Sequence, residues 1–423
     1  MHEFKYKNNH LYCEAVKVED LARRFGTPLY VYSYRTIIDH FFKLQSAFRP
    51  VDALVCYSVK ANSNLAILKG LVDKGAGLDI VSGGELFRAL KVECPPEKIV
   101  YASVGKTEKE IEEAVRKGIL FFNVESLPEL ESINRVSRML GKVPRIAIRI
   151  NPDVEAGTHK FITTGKLTNK FGIDLKSAYK IILLRDKFSY VNICGLHIHI
   201  GSQITSPGPF VAAIKKISAF ILELKRKGVS LEYLNIGGGL GIVYNQETPQ
   251  TAQRYARRIL PYLKKTGLKI ILEPGRFIVG NAGILVTRVL YVKESSKKKF
   301  IIVNSGMNDL IRPALYGAYH KILPLRLQGR KFAALQKADV VGPICESGDF
   351  LAKERKLPKV KEGDFLAVMS AGAYGFSMSS NYNSRCRAEE VMVVGDRVFV
   401  IRKRETFDDL IRNEKIPQFL LGL

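Results

Sequence analysis

Between residues 53 and 272 the chain alternates apolar runs of strand length with amphipathic stretches of helical period, eight times in succession. The runs are Ala53–Val59, Gly77–Val81, Ile99–Ala102, Leu120–Val124, Arg145–Ile150, Asn192–His199, Leu231–Ile236 and Lys269–Leu272. Helical patterns such as Glu85–Leu90, Glu108–Lys117, Leu127–Leu140, Phe210–Lys227 and Thr251–Thr266 separate them. Eight βα units in a row predict an α/β fold, a closed (β/α)8 TIM-type barrel, because an open doubly wound sheet seldom needs that many. Barrels of this kind keep their chemistry just beyond the carboxyl ends of the strands.

The flanks read differently. The first residues hold an alternating segment, Leu11–Ala15, and a short helical pattern, Val18–Phe25, stopped by Gly26 and Pro28. A second helical pattern, Arg35–Phe48, leads into the eight repeats. After Gly280 short strand-like segments (Ile284–Val292, Phe300–Val303, Ala338–Val341, Phe365–Met369, Glu390–Val394, Arg397–Arg402) replace helices, and Thr406–Asn413 reads as a terminal helix. The expected division is an N-terminal segment over 1–26, a barrel over 27–280, and a C-terminal all-β domain over 281–423 that includes the N-terminal segment.

Charge and cysteine usage narrow the partners. The chain carries 66 Lys and Arg against 41 Asp and Glu, a net charge of +25. The basic residues are scattered and often sit beside acids, as in Lys106–Glu110, and the densest run is only Lys297–Lys299. That distribution describes a lysine-rich solvated surface and argues against nucleic acid or membrane as a partner. The six cysteines (Cys13, Cys56, Cys94, Cys194, Cys345, Cys386) show no Cys-x-x-Cys spacing, and no apolar stretch has the length of a membrane span. A cytoplasmic protein is expected.

Four motifs at strand ends carry chemistry. Lys60 closes the first apolar run in Tyr57-Ser58-Val59-Lys60-Ala61-Asn62, where its ammonium needs water, a counter-ion or a covalent partner. His197 and His199 share one face of the sixth run, since strand side chains alternate. The pair could ligate a metal, yet no third ligand follows at short range, so no metal site is expected. A histidine there serves equally as a platform for a flat cofactor, with Gly201-Ser202 beyond it. Gly237-Gly238-Gly239 ends the seventh run, either as a plain loop or as backbone able to approach an anion. Glu273-Pro274-Gly275-Arg276 ends the eighth. Phosphate sites in barrels often follow strands seven and eight, so the last two motifs reinforce each other.

Together these motifs resemble the pyridoxal-phosphate-dependent decarboxylases of the alanine-racemase-like, group IV fold. Arg312-Pro313-Ala314-Leu315-Tyr316, Cys345-Glu346-Ser347-Gly348-Asp349 and Gly372-Ala373-Tyr374-Gly375 narrow the resemblance to the diaminopimelate decarboxylases. So do Asn151-Pro152 through His159 and Thr163-Thr164-Gly165 through Lys170-Phe171-Gly172. The resemblance covers nearly the whole chain. It implies pyridoxal 5'-phosphate as cofactor, held covalently by Lys60, with His199 on the ring and Glu273 at the pyridine nitrogen. Ser202, Gly238, Gly275, Arg276 and Tyr374 would hold the phosphate. Arg276, Arg312, Tyr316, Tyr374 and Glu346 would read the far end of the substrate, and Cys345 would be the proton donor. His197 is expected to be a packed or supporting residue, and the other five cysteines ordinary core residues. The implied reaction converts meso-2,6-diaminopimelate to L-lysine and carbon dioxide, the last step of lysine biosynthesis, in a homodimer with shared active sites. A decarboxylase of ornithine or arginine is the nearest rival, and a non-catalytic regulator on this scaffold a more distant one.

Overall fold

A computed structural model describes residues 2–155, 170–327 and 335–421. Its chain divides into two units, one of residues Thr36–Asn281, the other of Met1–Arg35 with Ala282–Leu423.

In the first unit all eight apolar runs become strands, in the predicted order. They are Ala53–Ser58, Gly77–Ile80, Ile99–Tyr101, Phe121–Val124, Arg145–Arg149, Asn192–His197, Tyr233–Asn235 and Lys269–Leu272. Every neighbouring pair is parallel, and the eighth strand closes on the first through Ile270 opposite Ala53 and Leu272 opposite Val55. Parallel strands buried on both faces need continuous apolar runs, which is why these segments stood out. Cys56, Val100, Phe121, Ala147, Cys194, Tyr233 and Ile271 pack together as a core. The helices carry ordinary end signals: Glu108–Lys117 has a capping box from Thr107 and Glu110, and Leu127–Leu140 starts on Ser126 and ends at left-handed Gly141. Leu65–Val72 is also a helix, although its nearly uniform apolar run shows no face.

The second unit is built on a nine-stranded sheet. Its spine is the long strand Gly283–Glu294, which pairs antiparallel with Leu29–Ser33, Lys299–Val303 and Phe365–Val368. All five residues of Leu29–Ser33 are buried, and its other edge runs parallel to Glu389–Val394. This strand lies within the span assigned above to the barrel. Its partners lie far along the chain, so no local pattern announces them, and the boundary between the units falls after Arg35 rather than after residue 26. The N-terminal sheet Phe4–Lys7, His10–Cys13 and Val16–Lys17, with the helix Val18–Phe25, joins the same core through Phe4, Leu11, Val18 and Leu21 against Leu29, Val31, Ile284 and Val391. Each such buried side chain contributes about 1.5–3 kcal/mol, which ties the N-terminal segment to the sheet. Short helices Arg312–Tyr316 and Phe407–Ile411 complete the unit. Among the described residues no helix is long and apolar enough to cross a membrane.

Candidate active site

The barrel strands end in a ring of polar side chains. Ala53–Ser58 runs directly into a single 3-10 turn, Val59–Ala61, which carries Lys60 at the strand mouth. Lys60 Nζ lies 3.4 Å from Oδ2 of Asp79, a fully buried carboxylate on the second strand that also accepts from the Ser58 hydroxyl. Burial and then the charge of Glu273 push the Asp79 carboxyl up to about 7, against the opposing pull of Lys60 and Ser58. A group whose proton affinity is raised by folding stabilises the fold while protonated and loses that stabilisation as pH rises. In cofactor-free protein the difference in unfolding free energy between Asp79→Asn and wild type should therefore shift in favour of the variant from about pH 4 to about pH 7. Parallel stability profiles in denaturant titrations across that range would contradict this.

Glu273, directly after the eighth strand, is buried and held at both oxygens. Oε1 accepts from Asn235 Nδ2 at 2.6 Å and Asn123 Nδ2 at 3.1 Å, and Oε2 lies 3.2 Å from His197 Nε2. Burial alone would push this carboxyl up, but His197, followed by Lys60, outweighs it and holds the group well below the usual carboxylate range. His197 is itself pushed down by burial. The charge of Glu273 opposes that shift. Glu273 and Asp79 are thus driven in opposite directions, the signature of two carboxyls with different tasks.

His199 lies beyond the sixth strand, and its Nδ1 accepts from the Gly238 N–H at 3.2 Å. Its Nε2 therefore carries the proton of the neutral ring. Burial, then Arg149 and Lys60, push it well below the ordinary histidine range. A side chain on Gly238 would collide with the Glu273 carbonyl oxygen, and one on Gly275 would reach within 2.9 Å of Ala61 Cβ. Glycine at these two places lets the loops after strands one, seven and eight close on one another. Arg276 is buried, donating to Ser202 Oγ through Nη2 at 3.0 Å and to Tyr244 Oη through Nη1 at 2.7 Å.

The barrel unit thus brings Lys60, His199, Ser202, Gly238, Glu273, Gly275 and Arg276 to one end of its strands. Asp79, Asn123, Asn235 and Tyr244 are partners that the sequence reading did not name. The first three were legible as polar residues interrupting apolar strands.

The other predicted residues belong to the sheet unit. Arg312 opens the one-turn helix Arg312–Tyr316 and is buried, while Tyr316 is half-buried. Cys345 and Glu346 are exposed on the loop before Phe350–Pro358. Asp349 shapes that loop by accepting from the N–H groups of Ile344 at 2.7 Å and Met307 at 2.6 Å. The Cys345 N–H donates to Asn383 Oδ1 at 3.0 Å, and Glu346 Oε2 accepts from the Tyr382 hydroxyl at 3.0 Å. Tyr374 is half-buried at φ +57°. Cys13, Cys56, Cys94 and Cys194 are buried, and Cys386 is partly so. His159 and Thr163–Gly165 lie outside the described residues. Among the described residues no group of three or more His, Cys, Asp or Glu side chains is placed to hold a metal ion.

Residues 34–280 match the family of pyridoxal-dependent decarboxylases through its pyridoxal binding domain. Over 408 residues the chain is 51% identical to a diaminopimelate decarboxylase of Aquifex aeolicus, a match covering 96% of both proteins. The chain belongs to the diaminopimelate decarboxylase family. A diaminopimelate decarboxylase of Haemophilus influenzae is 46% identical over 411 residues, covering 97% of this chain and 98% of the relative. Among solved structures, the diaminopimelate decarboxylase of M. jannaschii in co-complex with L-lysine superposes with a TM-score of 0.94 at 39% identity, covering 99% of this chain and 100% of that one.

The cofactor of the diaminopimelate decarboxylases is pyridoxal phosphate, and the barrel residues fit it. An amine, a flat ring, an ionised carboxylate and glycine backbone beside a guanidinium are the groups such a molecule requires. Lys60, His199, Glu273 and the Gly238, Gly275 and Arg276 cluster supply them.

Proposed function

We propose that this chain decarboxylates meso-2,6-diaminopimelate to L-lysine and carbon dioxide. The observation that carries the reading is that one barrel mouth holds both a strand-end lysine, against Asp79, and an ionised, buried Glu273, in a chain of this family. Pyridoxal phosphate, when bound, supplies an electron sink for the pair left on Cα as the carboxylate departs.

The protein's own groups do the rest. Lys60 Nζ would hold the cofactor covalently until the amine of the substrate takes its place. His199, fixed by the Gly238 N–H, would stack on the ring without adding charge. Glu273 would face the pyridine nitrogen, where an ionised carboxylate would keep the ring protonated and able to take up the electron pair released at Cα. Ser202, Gly238, Gly275 and Arg276, with Tyr374, would hold the phosphate. Cys345 Sγ delivers a proton to Cα after the carboxylate has left.

Substrate choice falls to the sheet unit. Diaminopimelate ends in a second amino-acid centre, whereas ornithine ends in a bare amine. Arg276, Arg312, Tyr316 and Tyr374 can bind the distal carboxylate, and Glu346 the distal ammonium. Arg312→Gln and Glu346→Gln should each lower kcat/KM for diaminopimelate by about 2–4 kcal/mol in transition-state binding while cofactor absorbance persists. Unchanged kinetics in both variants would point to a different substrate.

Family membership and the division of these residues between barrel and sheet units support a cytoplasmic homodimer in which Lys60 of one copy works with Cys345 of the other. Mixing inactive Lys60→Ala with inactive Cys345→Ala protein should then restore activity to about a quarter of wild type, for random pairing of equal amounts. No recovery despite demonstrated subunit exchange would mean that each chain carries a complete site.

A further inference from the structure

His320 is fully buried between two partners that dictate its proton. Its Nδ1 lies 2.8 Å from the Met369 carbonyl oxygen, and its Nε2 lies 2.8 Å from Arg312 Nη1. A carbonyl only accepts and a guanidinium only donates, so Nδ1 must carry hydrogen and Nε2 must be bare. One neutral tautomer satisfies both contacts. We propose that His320 is a positioning residue for substrate recognition: its Nε2 lone pair aims the Arg312 guanidinium at the distal carboxylate of the substrate. This rests on the role given to Arg312 above.

The surroundings hold His320 more firmly than a loop residue. After the helix Arg312–Tyr316 the chain reverses at left-handed Gly317, φ +60°, and reaches His320 just before the strand Ile322–Pro324. Arg355 Nη1, from the neighbouring strand Phe350–Pro358, donates to the His320 carbonyl oxygen at 2.9 Å, and its guanidinium covers the Tyr319 ring at 3.7 Å. On the other side the Met369 N–H donates to the Lys321 carbonyl oxygen at 2.8 Å. Sheet strands therefore fix Nε2, and Nε2 fixes the arginine.

The choice of side chain also follows. A carboxylate at this place would orient Arg312 equally well but would neutralise it and compete with the substrate's own carboxylate. A neutral imidazole acceptor orients the guanidinium and leaves its charge for the ligand.

The test compares holoenzyme kinetics of variants that keep or remove the acceptor. His320→Gln retains an oxygen near the position of Nε2, whereas His320→Asn keeps only a donor for the Met369 carbonyl. The Asn variant should raise KM for meso-diaminopimelate about tenfold or more, with kcat within about threefold and cofactor absorbance unchanged, and the Gln variant should return KM to within about threefold of wild type. His320→Met, apolar and of similar length, serves as the acceptor-free variant if Asn does not fold. Equal KM values for the Gln and the acceptor-free variants would overturn the proposal, as would a loss confined to kcat. Arg312→Gln, measured in parallel, separates the two claims. If it raises KM while the acceptor-free variants match wild type, only the positioning role of His320 falls. If it leaves KM unchanged, the reading of the distal carboxylate by Arg312 falls as well.

Discussion

Lys60→Ala protein should purify without a covalently held cofactor and decarboxylate about 10³-fold or more slowly than wild type. The side chain lost is the only amine that the described contacts place against Asp79 at the barrel mouth, 3.4 Å away. Removing it takes away both the attachment point and a positive charge that restrains the buried carboxylates. Asp79, already pushed up by burial and by Glu273, then holds its proton more tightly still. Borohydride treatment gives a direct readout: wild type should lose its visible absorbance and gain the cofactor's mass on the peptide containing Lys60, while the variant gains none. Covalent cofactor on another residue of the variant, with activity retained, would refute the role of Lys60.

Glu273→Gln should lower kcat about 10²-fold with little change in cofactor content, because only the charge is removed from a side chain of the same shape. The Gln oxygen can still accept from Asn235 and Asn123, which bind Oε1 at 2.6 and 3.1 Å. What disappears is the carboxylate that His197 and Lys60 keep ionised against the pull of burial. On the role proposed for Glu273, a neutral amide would leave the pyridine nitrogen without its counter-charge and weaken the electron sink. Steady-state kinetics and visible absorbance on one preparation check both halves. A variant with unaltered kcat would remove Glu273 from the chemistry.

The barrel was legible because each of its strands is buried on both faces and so reads as an unbroken apolar run. Lys60 and Glu273 were legible for the complementary reason, as charges placed where such runs stop. Asp79, Asn123 and Asn235 sit inside runs, and their meaning appears only when barrel closure brings the second, fourth, seventh and eighth strands together. Leu29–Ser33 reads as one more buried strand, yet pairs with Gly283–Glu294 and Glu389–Val394, partners hundreds of residues away that no local pattern encodes. Phe350–Pro358 escaped notice through its charged Lys353-Glu354-Arg355-Lys356, tolerable because the strand ends the sheet and pairs with Leu335–Val341 alone within it. His320, one residue after an unremarkable Tyr319, acquires a role only through Arg312 and Met369.

Carbon dioxide release, measured on the holoenzyme with meso-diaminopimelate beside ornithine and arginine, tests the central claim most directly. The account predicts equimolar carbon dioxide and L-lysine from diaminopimelate, with kcat/KM for ornithine and arginine lower by about 10²-fold or more, since both lack the distal carboxylate that Arg312 is proposed to bind. Turnover of ornithine or arginine at a comparable or higher kcat/KM, or no carbon dioxide from diaminopimelate, would contradict it.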